Sequence, residues 1–374
     1  MPAIAIGPRV RKTPFYDGTI RQGALSFTIY NHTFMPTSYD PDPELEFSRV
    51  INDVQIWDVG CERQVQITGP DTMQMAQLMT PRDLSNCEVG QCKYALITDQ
   101  DGGVINDPVI VRLADQHVWF SLADSDMLLW AKGVAASNKL KVTIDEPDVS
   151  PLQIQGPKSR DLMRDVFGFW IDRLRFYWMR ETELDGIPLV VARSGYSKEL
   201  CYEIYLRDGQ YGDKLWDRLF DAGEEYGVTP GAPSQILRVE GGILSYGTDM
   251  NLDNNPYEIN LDWTVDLEQS ADFIGKEALA RIKNDGVTQR LLGAVLEGDR
   301  MTVFNENFWP AFVDDQPAGH LTTCVYSPRL DQNLAFVMVK VEYANAGQAV
   351  EIRSPTGSIR ATLCELPFVE DRKK

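Results

Sequence analysis

Polar and apolar residues alternate through Gln64-Val-Gln-Ile-Thr68. The chain then meets Gly69-Pro-Asp71, and apolar positions at helical spacing continue to Met79. The same order returns in Pro151-Leu-Gln-Ile-Gln-Gly-Pro-Lys158, followed by an amphipathic run from Ser159 to Phe167. Each copy predicts a strand, a glycine turn, a proline at the first helical position and then a helix. Two copies imply a pair of related α+β lobes, because a stacked repeat array needs at least about three units.

Further along, Tyr94–Thr98 and Val104–Leu113 flank Asp99-Gln-Asp-Gly-Gly103, and Arg175–Leu184 and Ile187–Ala192 flank Asp185-Gly186. Both read as hairpins. Helices are expected over Ser125–Ser137, Gly212–Tyr226 and Lys276–Asn284. Beyond residue 285 the texture changes to short strands, Leu291–Leu296, Ala335–Val341, Ala349–Arg353 and Ser358–Leu363, separated by Gly, Pro, Asn and Asp. That pattern suits a small antiparallel barrel or sandwich. The expected division is therefore 1–280, an α+β region, and 281–374, an all-β unit.

A chain of 374 residues exceeds the roughly 250–300 at which a single core stops growing, so more than one domain is expected. Apolar residues make up 43% of it, with 8 Trp, 14 Tyr and 15 Phe, which excludes disorder as the main state. Its net charge of −19 argues against nucleic-acid binding, which needs clustered Lys and Arg. No apolar run approaches the ~20 residues that span a bilayer, and Met1–Ile6 lacks the pattern of a secretory signal. The six cysteines include no C-x-x-C pair, as suits reduced thiols, so a soluble cytoplasmic protein is expected. Three separated histidines give no metal-ligand spacing, and no metal is expected. Nucleotide-binding glycine motifs and Gly-x-Ser-x-Gly are missing as well.

Four segments concentrate unusual residues: Tyr30–Pro36, Asp101–Pro108, Arg193–Tyr205, and Leu237–Gly247 with its continuation Asn255–Trp263. Asp107, in Asn-Asp-Pro, reads alone either as a turn-capping carboxylate or as a catalyst. Glu203 lies between Tyr202 and Ile204 in an apolar strand, where a buried carboxylate needs a cation or hydrogen-bond donors; an edge-strand glutamate is the other reading.

Taken together, the segments resemble the glycine-cleavage T-protein superfamily of tetrahydrofolate-dependent aminomethyl- and methyltransferases. Trp57-Asp-Val59 with Gly69-Pro-Asp71 is similar to the family's D-V-S…G-x-D, and Asp101–Pro108 to its GG-I-x-D-D turn. Arg193–Tyr205 resembles R-x-G-Y-T-G-E-x-G-x-E-I, Leu237–Gly247 resembles L-R-L-E-A-G-L-x-L-Y-G, and Asp272–Ala278 resembles F-I-G-x-x-A-L. The resemblance implies two interleaved folate-binding lobes within 1–280, a C-terminal β-barrel within 281–374, and tetrahydrofolate as the one-carbon acceptor. It makes Asp107 the essential carboxylate and Glu203 the group gripping the pterin N–H edge, with Tyr94, Val109, Trp119, Tyr196, Tyr205, Tyr246 and Trp263 lining the folate channel.

The departures point within the superfamily. Ser234 stands where glycine-cleavage members have Arg, Asp58-Val-Gly-Cys61 lacks their His, and Asn106 replaces the first Asp of D-D. Tyr30–Pro36, Ile105–Pro108, Ala123–Asp126 and Leu244–Gly247 are more similar to dimethylsulfoniopropionate demethylases, which move a methyl group from a sulfonium to tetrahydrofolate. A sulfonium leaves as a neutral thioether, so neither a leaving-group acid nor a metal is needed, and positioning supplies much of the rate. Aromatic faces suit the cation, and Tyr30, Phe34, Trp170, Tyr177 and Trp178 are the candidates, with core packing the competing reading for Trp178. The alternatives are a tetrahydrofolate-linked demethylase or aminomethyltransferase for a methylated amine or methoxy compound, and a non-catalytic folate-binding relative. The partners expected are small molecules, with no nucleic acid and no membrane. The oligomeric state stays open, a homodimer among the options.

Overall fold

The computed structural model describes residues 5–302 and 304–371. Two antiparallel-rich sheets and a closed barrel organise the chain. The first sheet runs Thr143–Asp145, Gln64–Thr68, His117–Ser121, Val109–Ala114, Cys92–Tyr94. The second runs Met179–Leu184, Ile187–Ala192, Cys201–Leu206, Ser150–Gln155, Gln55–Asp58, Thr229–Gly231, and only its last pair is parallel. The lobes interleave because Gln55–Asp58, which precedes the first sheet in sequence, pairs with Ser150–Gln155 in the second. The chain is thus α+β, with a six-stranded closed barrel at the C-terminus.

The two sequence repeats take equivalent places. Gln64–Thr68 leads to helix Thr72–Met79, and Ser150–Gln155 leads to helix Ser159–Phe167. Val65, Ile67, Met75, Ala76 and Met79 share one core cluster; Leu152, Ile154, Leu162, Met163 and Val166 share another with Leu215, Trp216 and Leu219. The prolines differ from expectation. Pro70 and Pro157 precede the helix caps Asp71 and Lys158 rather than opening the helices. Each sits second in a β-turn, in which the Thr72 N–H donates to the Gly69 carbonyl (3.2 Å) and the Ser159 N–H to the Gly156 carbonyl (3.0 Å).

Both repeat glycines are required by backbone crowding. Gly69 and Gly156 have φ of +122° and +114°; a Cβ would stand 2.6 Å from the Lys141 carbonyl oxygen and 2.5 Å from that of Asp53, respectively. Gly156→Ala should therefore lower unfolding free energy by at least ~2 kcal/mol in urea titrations, combining left-handed strain with overpacking. Wild-type stability in that variant would contradict this packing.

The expected helices form as Met127–Asn138, Gly212–Gly223 with a short 3₁₀ extension, and Lys276–Asp285. The barrel strands are Gln289–Leu296, Trp309–Val313, Gln316–Ser327, Gln332–Lys340, Ala349–Ser354 and Gly357–Cys364. Trp309–Val313 and Gln316–Ser327 were not expected. Pro317 and Gly319 obscure their pattern, yet Pro317 pairs with Phe312 beside a bulge, and Gly319 lets the Met338 carbonyl press against its backbone.

Buried ion pairs fasten the barrel to the lobes. Arg238, on helix Gln235–Glu240, is buried and pairs with Asp249 at 2.5 Å while donating to the Thr323 hydroxyl at 3.0 Å. Asp249 also accepts from Thr322 and Thr323, both at 2.7 Å, so the buried charges are hydrogen-bonded as well as paired. Arg329 reaches back to Glu199 at 2.6 Å and to Glu240 at 3.5 Å.

Candidate functional site

Where the two lobes adjoin, Glu62 lies within electrostatic reach of two other carboxyl groups, Glu203 and Asp107. Glu203 occupies the middle of Cys201–Leu206, paired across to Gln153 on one side and Ala192 on the other, so its strand is internal rather than an edge. It is 4% exposed. Gln153 Nε2 donates to it at 2.9 Å, the Tyr205 hydroxyl at 3.1 Å, and the Ser194 hydroxyl donates as well. Behind Gln153 the relay continues, with Ser197 donating to Gln155 (2.7 Å) and Gln155 to Gln153 (2.9 Å). All these donors are neutral, so the protein orients the carboxylate without neutralising it.

Asp107 is placed by the preceding Asn106. That side chain is fully buried, donates to the Ala123 carbonyl (3.0 Å) and the Ser125 hydroxyl (2.7 Å), and accepts from the Ala123 N–H (3.1 Å). An aspartate could not donate these bonds, which accounts for the departure from D-D. Asp107 Oδ2 accepts from the Tyr94 hydroxyl at 3.0 Å, and its Oδ1 is buried with no partner. Burial pushes this carboxyl up to about 7, against the opposing pull of the Tyr94 hydrogen bond.

Glu62 is the third acid, and sequence reasoning missed it. It lies on the segment linking Gln55–Asp58 of one sheet to Gln64–Thr68 of the other. Burial, then Glu203 and Asp107, drive its carboxyl well above the usual range. The signal was available: an acid sits directly after Asp58-Val-Gly-Cys61, between two strands of the family pattern. Asp58 itself is buried and braces this crossing, accepting from Thr13 (2.5 Å) and from the Gly60 N–H (3.0 Å).

One carbonyl ties the parts together. Ala123 O accepts from Asn106 and also from Asn31 Nδ2 (3.0 Å), and Asn31 donates to the Cys61 carbonyl at 3.2 Å as well. Asn31 and His32 form the tight turn of hairpin Ser26–Tyr30/Thr33–Ser38, both with positive φ. Tyr30 is thereby held beside the acids, its hydroxyl raised by burial, then by Asp107 and Glu62. Burial and then Glu203 raise Tyr177 and Tyr205, while burial and Asp107 raise Tyr94 and push Tyr246 up to about 12. These phenols remain neutral donors.

Of the remaining candidates, Val109, Trp119, Tyr177 and Tyr205 share one cluster between the sheets, the Trp119 and Tyr205 rings 6.0 Å apart. Tyr196 anchors to the Leu244 carbonyl (3.0 Å) and Tyr246 to that of Val104 (3.0 Å). Trp263 is 58% exposed, stacked on Tyr94 at 5.9 Å with the Arg82 guanidinium 4.9 Å over it, and forms a rim. Three donor candidates are held by other contacts. Phe34 packs with Tyr16 and Phe27 in the N-terminal hairpin, Trp170 with Phe167 and Arg180, and Trp178 under Arg175. Ser234, in place of the family arginine, caps helix Gln235–Glu240.

A cleft of about 580 Å³ lies along the same crossing, lined by Arg11, Lys12, Arg63 and Glu146 among others; Arg11 and Arg63 both pair with Glu146. Among the described residues no cluster of His, Cys, Asp and Glu could hold a metal, and no helix is long and apolar enough to cross a membrane.

Residues 15–269 match the GCVT N-terminal domain and residues 289–370 the glycine cleavage T-protein C-terminal barrel domain. The chain is 39% identical over 365 residues to the dimethylsulfoniopropionate demethylase DmdA of Ruegeria pomeroyi, covering 98% of this chain and 99% of that one. It is 29% identical over 371 residues to an aminomethyltransferase of Symbiobacterium thermophilum, covering 96% and 97%. The crystal structure of glycine cleavage system aminomethyltransferase T from Bartonella henselae superposes with a TM-score of 0.88 over 97% of this chain and 99% of that one, at 22% identity. The chain belongs to the glycine-cleavage T-protein family of tetrahydrofolate-dependent transferases.

Proposed function

We propose that this enzyme transfers a methyl group from dimethylsulfoniopropionate to tetrahydrofolate, giving 3-(methylthio)propanoate and 5-methyltetrahydrofolate. The observation that carries the reading is a group of three carboxyls with no protein cation among them, whose ionised forms a positively charged ligand favours. Glu62, Asp107 and Glu203 are electrostatic neighbours, tyrosine rings surround them, and none of the three makes an ion pair among the described residues. Such a site favours a cation, which aromatic faces stabilise by on the order of 0.5–2 kcal/mol each. The full-length likeness to a demethylase whose donor is a sulfonium supports the same reading.

The residues fit a reduced pterin. Glu203 is acceptor-only and already oriented by Gln153, Ser194 and Tyr205, so its remaining lone pairs suit an N–H edge, while the unpartnered Oδ1 of Asp107 is available to take up the proton released on transfer. Tetrahydrofolate supplies the nitrogen that takes the methyl group. Glu203 holds it in register, and Tyr30, Tyr177 and Tyr205 exclude water. Asp107 sets negative charge beside the positive charge leaving sulfur. The S–CH3 bond breaks with its electron pair kept by the thioether, the N–CH3 bond forms, and the displaced N–H proton passes to Asp107 and then to water.

The test is turnover of purified protein with tetrahydrofolate and dimethylsulfoniopropionate, read by mass spectrometry. Both 5-methyltetrahydrofolate and 3-(methylthio)propanoate are expected in equal amounts. Formation of 5,10-methylenetetrahydrofolate from an aminomethyl donor, with no product from the sulfonium, would overturn the proposal.

A further inference from the structure

Acids gather at the inner end of the site and cations at its rim. Asp107 Oδ2 accepts from the Tyr94 hydroxyl at 3.0 Å, the Tyr94 ring stacks on Trp263 at 5.9 Å, and the Arg82 guanidinium lies 4.9 Å over Trp263. Arg82 Nη1 also donates to the Tyr94 carbonyl at 2.6 Å. A continuous line of contacts therefore joins the acid beside the migrating charge to a cation at the mouth.

Arg82 is firmly placed. Its N–H donates to the Thr80 hydroxyl (3.2 Å) and its carbonyl accepts from Gln77 Nε2 (3.0 Å). The Pro81 carbonyl accepts from Gln269 Nε2 (2.7 Å) and from the Asp266 N–H (2.9 Å), which fastens this segment to the one that follows Trp263. Its charge, however, is unbalanced. Among the described residues neither Arg82 nor Lys93, the neighbour of Tyr94 in its strand, makes an ion pair. Burial lowers Arg82, and the groups that raise it are Tyr177, Cys87 and Tyr94, none of them a carboxylate. Burial lowers Lys93 as well; Cys87 and Asp83 pull it up, and Arg82 pushes it down. The Asp83 carboxylate is taken by Ser85, whose N–H and hydroxyl both donate to it at 2.8 Å, and Lys93 donates to the Asp83 carbonyl (3.2 Å) and to Asn86.

Two half-buried cations within electrostatic reach of each other repel, and a chain of net charge −19 has acids to spare for pairing them. A guanidinium stacked on an indole keeps its in-plane N–H edge free for a carboxylate. Tetrahydrofolate is polarised to match. Its pterin ring is neutral and offers N–H groups, whereas its far end, beyond the aminobenzoyl ring, is a glutamate with two carboxylates. With the pterin at Glu203 and the aminobenzoyl ring along Tyr94 and the 58% exposed Trp263, that end meets Arg82.

We propose that Arg82, with Lys93 beside it, binds the glutamate carboxylates of tetrahydrofolate and selects folates that carry them. This rests on the folate reading above, and no methyl donor enters it.

The experiment compares tetrahydrofolate with tetrahydropteroate, which lacks the glutamate, by anaerobic calorimetry on the full chain. Wild type should prefer tetrahydrofolate at least ~tenfold, the scale of a charge-assisted contact at a half-exposed site. That preference should shrink as salt is raised to about 0.5 M, because the contact is screened there. Arg82→Met should bring it to about threefold or less by weakening tetrahydrofolate alone, and Arg82→Lys should recover part of it. Equal binding of both compounds by wild type, or a preference that salt does not move, overturns the proposal whether or not a variant folds. So does an Arg82→Met protein that loses affinity for both compounds equally, the result of a merely structural role. The two ideas fail separately: a wild type that binds neither compound sinks the folate reading, whereas equal binding of both sinks only the role of Arg82.

Discussion

Asp107→Asn should lower the turnover number for methyl transfer by roughly 10²–10³-fold while leaving tetrahydrofolate affinity near that of wild type, the scale seen when one preorganised electrostatic group is lost. The substitution keeps shape, and the Tyr94 hydroxyl can still donate to the side-chain oxygen. What disappears is the charge. The same carboxylate shapes the pH profile. Burial holds it at about 7. The ionised form is the working one, so kcat/KM should fall toward tenfold per pH unit as pH drops below 7 and level off above it. Glu62 interacts with Asp107, so the apparent value belongs to the pair. Loss of the acidic limb in Asp107→Asn assigns it. Wild-type turnover in that variant would remove Asp107 from the chemistry.

Glu203→Ala should weaken tetrahydrofolate binding by at least ~2 kcal/mol, about 30-fold, the scale of a lost charge-assisted hydrogen bond. The position argues for a binding role over a chemical one. Glu203 is locked in a central strand by neutral donors, a setting that fixes direction and leaves charge available. Removing it also strands Gln153, Ser194 and Tyr205 without their acceptor, so thermal stability should fall together with affinity. Calorimetry that shows undiminished affinity in a folded variant would sever Glu203 from the folate.

How far the sequence reached depends on what kind of information each feature needs. The duplicated strand–turn–helix was legible because glycine, proline and periodicity are local, and the structure places both copies in equivalent layers. Trp309–Val313 and Gln316–Ser327 were not, since a bulge and a crowded glycine mask alternation until the neighbouring strand is known. For the site, residue type indicated Asp107 and Glu203 as chemically unusual, but convergence is a property of the folded chain. Phe34, Trp170 and Trp178 are as aromatic as Tyr30, yet their neighbours are hairpin, helix and surface arginine. Glu62 escaped because an acid in a short connection looks like solvated loop until two sheets close on either side of it.

The paired arginines between lobes and barrel carry a wider implication. Arg238 and Asp249 span the segment from which Tyr246 reaches its Val104 anchor, and Glu199 follows Tyr196 by three residues. Trimming the chain before its final β-structure would remove Arg329 and so take that cation from Glu199, expose the Arg238–Asp249 pair to solvent, and loosen the aromatic lining from behind. The last quarter of the polypeptide is thus the back wall of the candidate site as much as an independent unit, and a tail exchanged between relatives would have to bring its own threonines for Asp249.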